Sequence, residues 1–281
     1  MDIELGPQRI IALDEREGAD VLRQRAMDKR SNAFTSGLGS LLQRPKAEDI
    51  ELVASQRRLD PFWHVVGKAT YVYERRREYA VPASGGEVHE VTIEGSTYAV
   101  ADAGPGARSF RLDALEHCRE EVNRELNADA RSGAVIADAG AVLAGPQHEV
   151  ADPTALATDD TLVVSPEHRA SFVVRQLLSE LLKPVQADRI LEESIVLETT
   201  DLVYRPVWAF EFLWRPKDKR GVVEIDAATG AVTAGGSILP QIGKVITRDA
   251  LFDIGADTVG LLVPGGSIAV KVARAALDKS Y

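Results

Sequence analysis

The fold class hinges on residues 110–127, Phe110-Arg111-Leu112-Asp113-Ala114-Leu115-Glu116-His117-Cys118-Arg119-Glu120-Glu121-Val122-Asn123-Arg124-Glu125-Leu126-Asn127. Leu112, Leu115, Cys118, Val122 and Leu126 follow a 3-3-4-4 spacing, which lines one stripe of a helix with charged residues filling the other sides. A helix over 110–127 is therefore expected. On either side the pattern changes. Before it, Tyr71, Tyr73, Tyr79 and Val81 alternate around charged residues, followed by Val88, Val91 and Ile93 and by Thr97-Tyr98-Ala99-Val100, which reads as an antiparallel meander closed by Ala103-Gly104-Pro105-Gly106. After it, residues 128–160 are rich in Ala, Gly, Asp and Pro and read as a linker with at most a short strand at 134–137 or 141–143.

Working outward, Ile10–Leu13 reads as a short strand and 14–30 as a helix. The Ser/Gly-rich stretch 31–46 reads as a loop, and 47–59 as a short amphipathic helix carrying Ile50, Val53 and Leu59 and stopped by Asp60-Pro61. Ser165-Pro166-Glu167 has the composition of a helix start, and the apolar residues from Phe172 to Leu182 continue it to Lys183-Pro184. Strands are expected at 190–199, 203–214 and 221–225, with a turn at Asp226-Ala227-Ala228-Thr229-Gly230. The tail reads as two helices split by Pro264-Gly265-Gly266: the first carries Leu251, Ile254, Val259 and Leu262, the second Ile268 and Val272. The expected fold is thus α+β: two small modules of antiparallel sheet with packed helices, plus a helical C-terminal hairpin. The expected divisions are 1–46, 47–145, 161–243 and 244–281.

Pro61-Phe62-Trp63 and Pro206-Val207-Trp208 share a Pro-x-Trp pattern, each after an expected helix and before paired strands that end near a glycine, Gly95 and Gly230. Two related modules would produce this. Tyr204-Arg205-Pro206-Val207-Trp208-Ala209-Phe210-Glu211-Phe212, followed by Val222-Val223-Glu224-Ile225-Asp226-Ala227-Ala228-Thr229-Gly230-Ala231-Val232, resembles the strand-turn-strand core of PepSY-like domains and the Tyr-x-Pro-x-Trp β-modules of bacterial proteins. The resemblance spans about 30 residues and implies a small binding or regulatory module; it carries over no catalytic residue.

Composition narrows the function. The net charge is −10 and the excess acid lies after residue 80, which argues against nonspecific nucleic-acid binding. Cys118 is the one cysteine, so no intramolecular disulfide and no Cys-based zinc site is expected. The start lacks a basic segment and an apolar run, and no apolar stretch is long enough to span a bilayer, so a cytoplasmic protein without a membrane span is expected. Peripheral membrane contact is not expected either, since the tail has few basic residues and no Trp.

Candidate chemistry is sparse. His117-Cys118 are neighbours pointing about 100° apart on a helix, with Cys118 on the apolar stripe, so core packing outweighs a thiol–imidazole pair. His64 and His89 with Glu90 would make a metal site only if their strands pair. Arg75 and Arg77, in Glu74-Arg75-Arg76-Arg77-Glu78, share one strand face and suit an acidic partner; the competing reading is a solvated hairpin. No phosphate loop, His-Glu-x-x-His or Gly-x-Ser-x-Gly motif occurs, so no catalytic residue, metal or cofactor is assigned. The expectation is a non-enzymatic adaptor or assembly component that binds a protein partner or itself through Arg75, Arg77, Trp63, Trp208, Leu251 and Leu262. The alternative is an enzyme whose site is assembled from dispersed residues such as His64, His89 and Arg75.

Overall fold

In a computed structural model of the protein, residues 110–127 are not a helix. They lie within one 23-residue strand, Ala107–Asp129, whose burial alternates residue by residue. Phe110, Leu112, Cys118, Val122, Leu126 and Ala128 turn inward, while Arg111, Asp113, Arg119 and Glu121 turn out. Four residues of the expected helical stripe are all even-numbered, so they share a face in a strand as well as in a helix. Leu115 alone separates the two conformations, and it is 48% exposed. Pairing decides the outcome: strand Ile50–Ala83 runs antiparallel to it from Phe62↔Asp129 to Ala83↔Arg108.

The structure describes residues 2–34, 45–137, 139–158, 160–234, 248–252, 254 and 269–272. In chain order the strands and helices are β1 (Asp2–Leu5), β2 (Gln8–Leu13), α1 (Ala19–Asp28), β3 (Ile50–Ala83), β4 (Glu90–Ile93), β5 (Ser96–Ala99), β6 (Ala101–Gly104), β7 (Ala107–Asp129), α2 (Ala139–Leu143), β8 (Gln147–Val150), β9 (Thr161–Val163), α3 (Ala170–Leu181), β10 (Arg189–Trp214), β11 (Lys219–Asp226), β12 (Val232–Ala234), α4 (Arg248–Leu251) and β13 (Ala269–Val272). Among the described residues, eleven strands form one mixed sheet, and β4–β5 form a separate hairpin. Its spine is the antiparallel pair β3–β10, from Arg189↔Glu74 to Trp214↔Ile50. The far edge of β3 carries β7 and β9; the far edge of β10 carries β1, β2 and β11.

This overturns the helix-packed α+β expectation. Residues 47–59 hold a turn at Ala47–Asp49 and then enter β3, and the stretches 47–145 and 161–243 share a single sheet. The expected C-terminal helical hairpin fails too. α4 is one turn, and β13 pairs parallel with β1; Pro264-Gly265-Gly266 and Leu262 lie outside the described residues. α3 begins at Ala170 rather than Pro166, because the Glu167 and His168 amides donate to the Ala130 carbonyl at 2.9 Å instead of starting the helix.

The two halves repeat one plan: β2-α1-β3-β7 and β9-α3-β10-β11. β2 lies parallel to β10 with Tyr204 opposite Ala12, and β9 lies parallel to β3 with Leu59 opposite Val163; each register ends two residues before the Pro-x-Trp proline. Asp129-Ala130-Arg131-Ser132-Gly133-Ala134-Val135 repeats Asp226-Ala227-Ala228-Thr229-Gly230-Ala231-Val232. In each turn the Asp carboxylate accepts the amides two and three residues on (Arg131 and Ser132; Ala228 and Thr229), and the glycine is left-handed, φ 72° and 76°. The Ala130 amide donates to the Pro61 carbonyl at 3.1 Å, and the Ala227 amide to the Pro206 carbonyl at 2.9 Å. The glycine closing the first copy is therefore Gly133, not Gly95; the expected helix over 110–127 hid the strand leading to it.

The copies exchange their helices. α1 buries Leu22 and Ala26 against Phe210, Phe212, Val223 and Ile225 of the second hairpin. α3 buries Val173, Val174, Leu177, Leu178 and Leu181 against Trp63, Val65, Ala69 and Tyr71 of the first. Tyr204 belongs to the α3 cluster and Phe210 to the α1 cluster, and they are an even number of residues apart on β10, so both helices cover the same sheet face.

Candidate functional site

The hairpins differ in length. The second turns back after Trp214 through Arg215–Lys217 and a left-handed Asp218. The first runs on, and beyond Arg189↔Glu74 β10 no longer flanks it; among the described residues a third strand returns only at the tip, where β6 pairs with β7 at Arg108 and Ser109. Arg75–Ala83 and Arg108–Glu116 continue as a two-stranded arm of nine residues per strand, about 30 Å at ~3.4 Å per residue. At its tip β4–β5 and β6 fold back, with Phe110 buried against Tyr98 at 5.8 Å between ring centres.

The arm organises its charge around Glu116. Its carboxylate takes the Arg75 guanidinium and the Tyr79 hydroxyl, and Arg77 stands 3.7 Å away. The Tyr79 and Arg75 hydrogen bonds hold the Glu116 carboxyl below the usual carboxylate range. Arg75 and Arg77 share a face as expected, but much of their charge is spent inside the arm. Arg76 faces the other way, near Leu115. A cleft of about 400 Å³ lies between Arg75–Arg77 and Gln186–Asp188, and another of about 450 Å³ at the tip between Gly85, Gly86, Asp102, Gly104 and Arg108. Neither is lined by a histidine, cysteine, serine or threonine.

The remaining expected residues are dispersed. Trp63 is fully buried, and its indole donates to the His168 carbonyl at 2.8 Å. Leu251 is 1% exposed in the same core, so both side chains pack inside the protein rather than on its surface. Trp208 is half-buried, stacks on Phe210 at 6.0 Å and donates to Glu15 at 3.2 Å. His64 shares a hydrogen bond of 2.8 Å with Asn127, whereas His89 precedes β4, which pairs with β5 and not with β3. The conceivable His64–His89–Glu90 metal site therefore does not assemble, and among the described residues no group of three or more His, Cys, Asp or Glu side chains is placed to hold a metal. Cys118 is half-buried at the rim of the core, and His117 points to the opposite face, 3.2 Å from Glu74.

On the sheet face opposite α1 and α3, Arg58 bridges Asp60 and Glu224, at 2.9 Å each, and Arg205 lies 3.6 Å from Asp226. Burial pushes the Asp60 carboxyl up, against the pull of Arg58. The cluster ties β3, β10 and β11 together as paired charges.

The open flank of β7 was not anticipated. β6 reaches only Ser109, Val135 bridges Ala128, and the Ile136 amide donates to Asn127 at 2.8 Å. Between them, residues 110–126 have no strand on that side among the described residues. The period-two alternation of 110–128 and the Asp-Ala-x-Ser/Thr-Gly-Ala-Val repeat are the sequence signals that point to it. Among the described residues no helix is long and apolar enough to cross a membrane. Comparison with protein-family models, curated proteins and solved structures finds no match.

Proposed function

We propose that the protein is a non-enzymatic binding component, an adaptor or a part of an assembly, and that it makes its contact through the arm and the adjoining flank of β7. The observation that carries this reading is the inequality of the two copies. Their shared elements are used up in packing on each other, whereas the arm has no counterpart in the second half. An isolated two-stranded ribbon is marginally stable in water, and this one exposes Tyr79 on one face and Leu115 on the other, among charged side chains. A contact that orders it fits such a design. The repeated Asp-Ala-x-Ser/Thr-Gly turn supports a PepSY-like binding module present twice, with the arm inserted into the first. The enzyme reading draws no support from His64, His89 and Arg75: His64 and Arg75 lie eleven residues apart on β3, bonded to Asn127 and to Glu116, and His89 precedes β4 at the tip of the arm.

A photo-crosslinking residue at Leu115, on the arm, tests the proposal in cells that make the protein, with Val53 on the body as control; both side chains are exposed. Leu115 is expected to trap a protein, another species or a second copy, where Val53 does not. Equal or absent trapping at both positions refutes the reading.

A further inference from the structure

We propose that the open flank of β7 is a self-complementary interface, at which two copies of the chain pair antiparallel, β7 against β7, about Glu120. This rests on the binding reading above and names the partner, a second copy.

An edge strand offers unpaired backbone donors and acceptors, and natural proteins guard such edges with charge. On β7 the charges are of both signs, and their order matters. About a two-fold axis at Glu120, Arg119 faces Glu121 of the second copy, an exchange of the 2.9 Å pair the two make within one chain, where Glu121 also takes Lys68. Glu116, already bonded by Arg75 and Tyr79, faces Arg124 of the second copy, which adds a further cation to it. On the inward side Cys118 meets Val122, and Ala114 meets Leu126. Each pairing occurs twice, and opposite-charge and apolar cross-strand pairs both stabilise an antiparallel ladder. Glu120 faces its own copy, but its carboxylate already takes the Tyr73 hydroxyl at 2.7 Å and the Lys183 ammonium. Arg124 bonds the Asn123 carbonyl at 2.9 Å and leaves its charge for a partner. Residues equidistant from Glu120 have the same parity, so the inward faces of both copies stay on one side and the apolar layer continues across the seam.

The lengths of the edges point the same way. The equivalent flank of β11 is covered by β12 from Val223 to Ile225, and the open flank of β3, Arg75–Ala83, is nine residues long against seventeen on β7, so β7 carries the longest open edge among the described residues. One self-complementary edge closes into a pair rather than a fibre.

The register is tested by Val122→Cys in the full chain, with native Cys118 retained, under mild oxidation. Cys118 and a cysteine at 122 in one strand lie about 13 Å apart, beyond the roughly 7 Å that a disulfide can bridge, so any bond joins two chains. The expected product is a covalent dimer whose peptide map links position 118 to position 122, with the unsubstituted chain uncrosslinked. A 118–118 or 122–122 link overturns the register, and no link overturns the pairing. Independently, light scattering is expected to give the mass of two chains, and Arg124→Glu, which sets two carboxylates face to face, to weaken the dimer about tenfold. The mass of a single chain at every concentration overturns the proposal. Capture of a different protein at Leu115 would then still support the binding reading, so the two failures are distinguishable.

Discussion

Removing residues 248–281 is expected to unfold the body rather than merely detach an accessory. Leu251, Phe252 and Ile254 are all buried, and Phe252 meets Trp63 edge-on with ring centres 5.4 Å apart. At about 1.5–3 kcal/mol for each large apolar side chain taken out of water, the three together contribute roughly 5–9 kcal/mol. The Arg248 guanidinium also donates to the Gln8 carbonyl at 2.6 Å and to the Ala151 carbonyl at 3.3 Å, tying the segment to β2. A domain's whole net stability is about 5–15 kcal/mol, so the truncated chain should lie at or past its unfolding midpoint at any concentration. Phe252→Ala isolates the largest contribution: the hole beside Trp63 should cost about 3–5 kcal/mol. Urea unfolding followed by Trp fluorescence measures both. A truncated chain whose free energy of unfolding falls by less than about 1 kcal/mol would show that these residues do not seal the core.

Three other outcomes follow from the geometry. Gly133→Ala and Gly230→Ala, at φ 72° and 76°, should each cost about 1–2 kcal/mol in chemical denaturation, and a marked cost at only one turn would break their equivalence. Gly67→Ala would place a methyl group 2.9–3.1 Å from Leu181, Leu177 and Leu197, and this overpacking under α3 should cost about 1–3 kcal/mol by the same measurement. The Glu116 carboxyl is held below its reference value of 4.5, so its stabilisation of the arm is fully present above that pH and is lost as pH falls through the lower folded value. Hydrogen exchange, corrected for its intrinsic pH dependence, should show arm amides losing protection on acidification through that range before the β3–β10 spine does, and Glu116→Gln should remove the difference.

The helices α1 and α3 were legible because their apolar periodicity agrees with what they pack against, and the Asp226–Gly230 turn because its side chains build it locally. β3 and β7 were not. Gaps of four residues, as between Cys118, Val122 and Leu126, satisfy both periodicities, and only the partner strand, distant in sequence, chooses between them. The polar residues on the inward face hid the alternation further: Glu116 and Glu120 sit there because Arg75, Tyr73, Tyr79 and Lys183 satisfy them, which one strand read alone does not reveal. Trp63 and Leu251 looked like contact residues because an aromatic or apolar residue carries no mark of what will cover it. The repeat is visible at Pro-x-Trp, but Gly95, in the β4–β5 turn at the tip of the arm, precedes Gly133 in the sequence and masks it as the closing glycine.

The exchange of helices between the copies constrains how the chain comes into being. α1 leaves the ribosome long before Phe210 and Val223, the surface it buries against. At roughly 5–20 residues per second, the roughly 180 residues between α1 and Phe210 take about ten seconds or more to make. Throughout that interval neither hairpin can complete its apolar layer, and the first half waits with an unfinished sheet. The slow step is then the closing of β10 onto β3, a contact between distant parts of the chain whose loop-closure entropy is opposed only once both copies exist. A nascent chain halted anywhere before the second Pro-x-Trp should thus remain protease-sensitive along its whole emerged length, with no folded first half protected inside it.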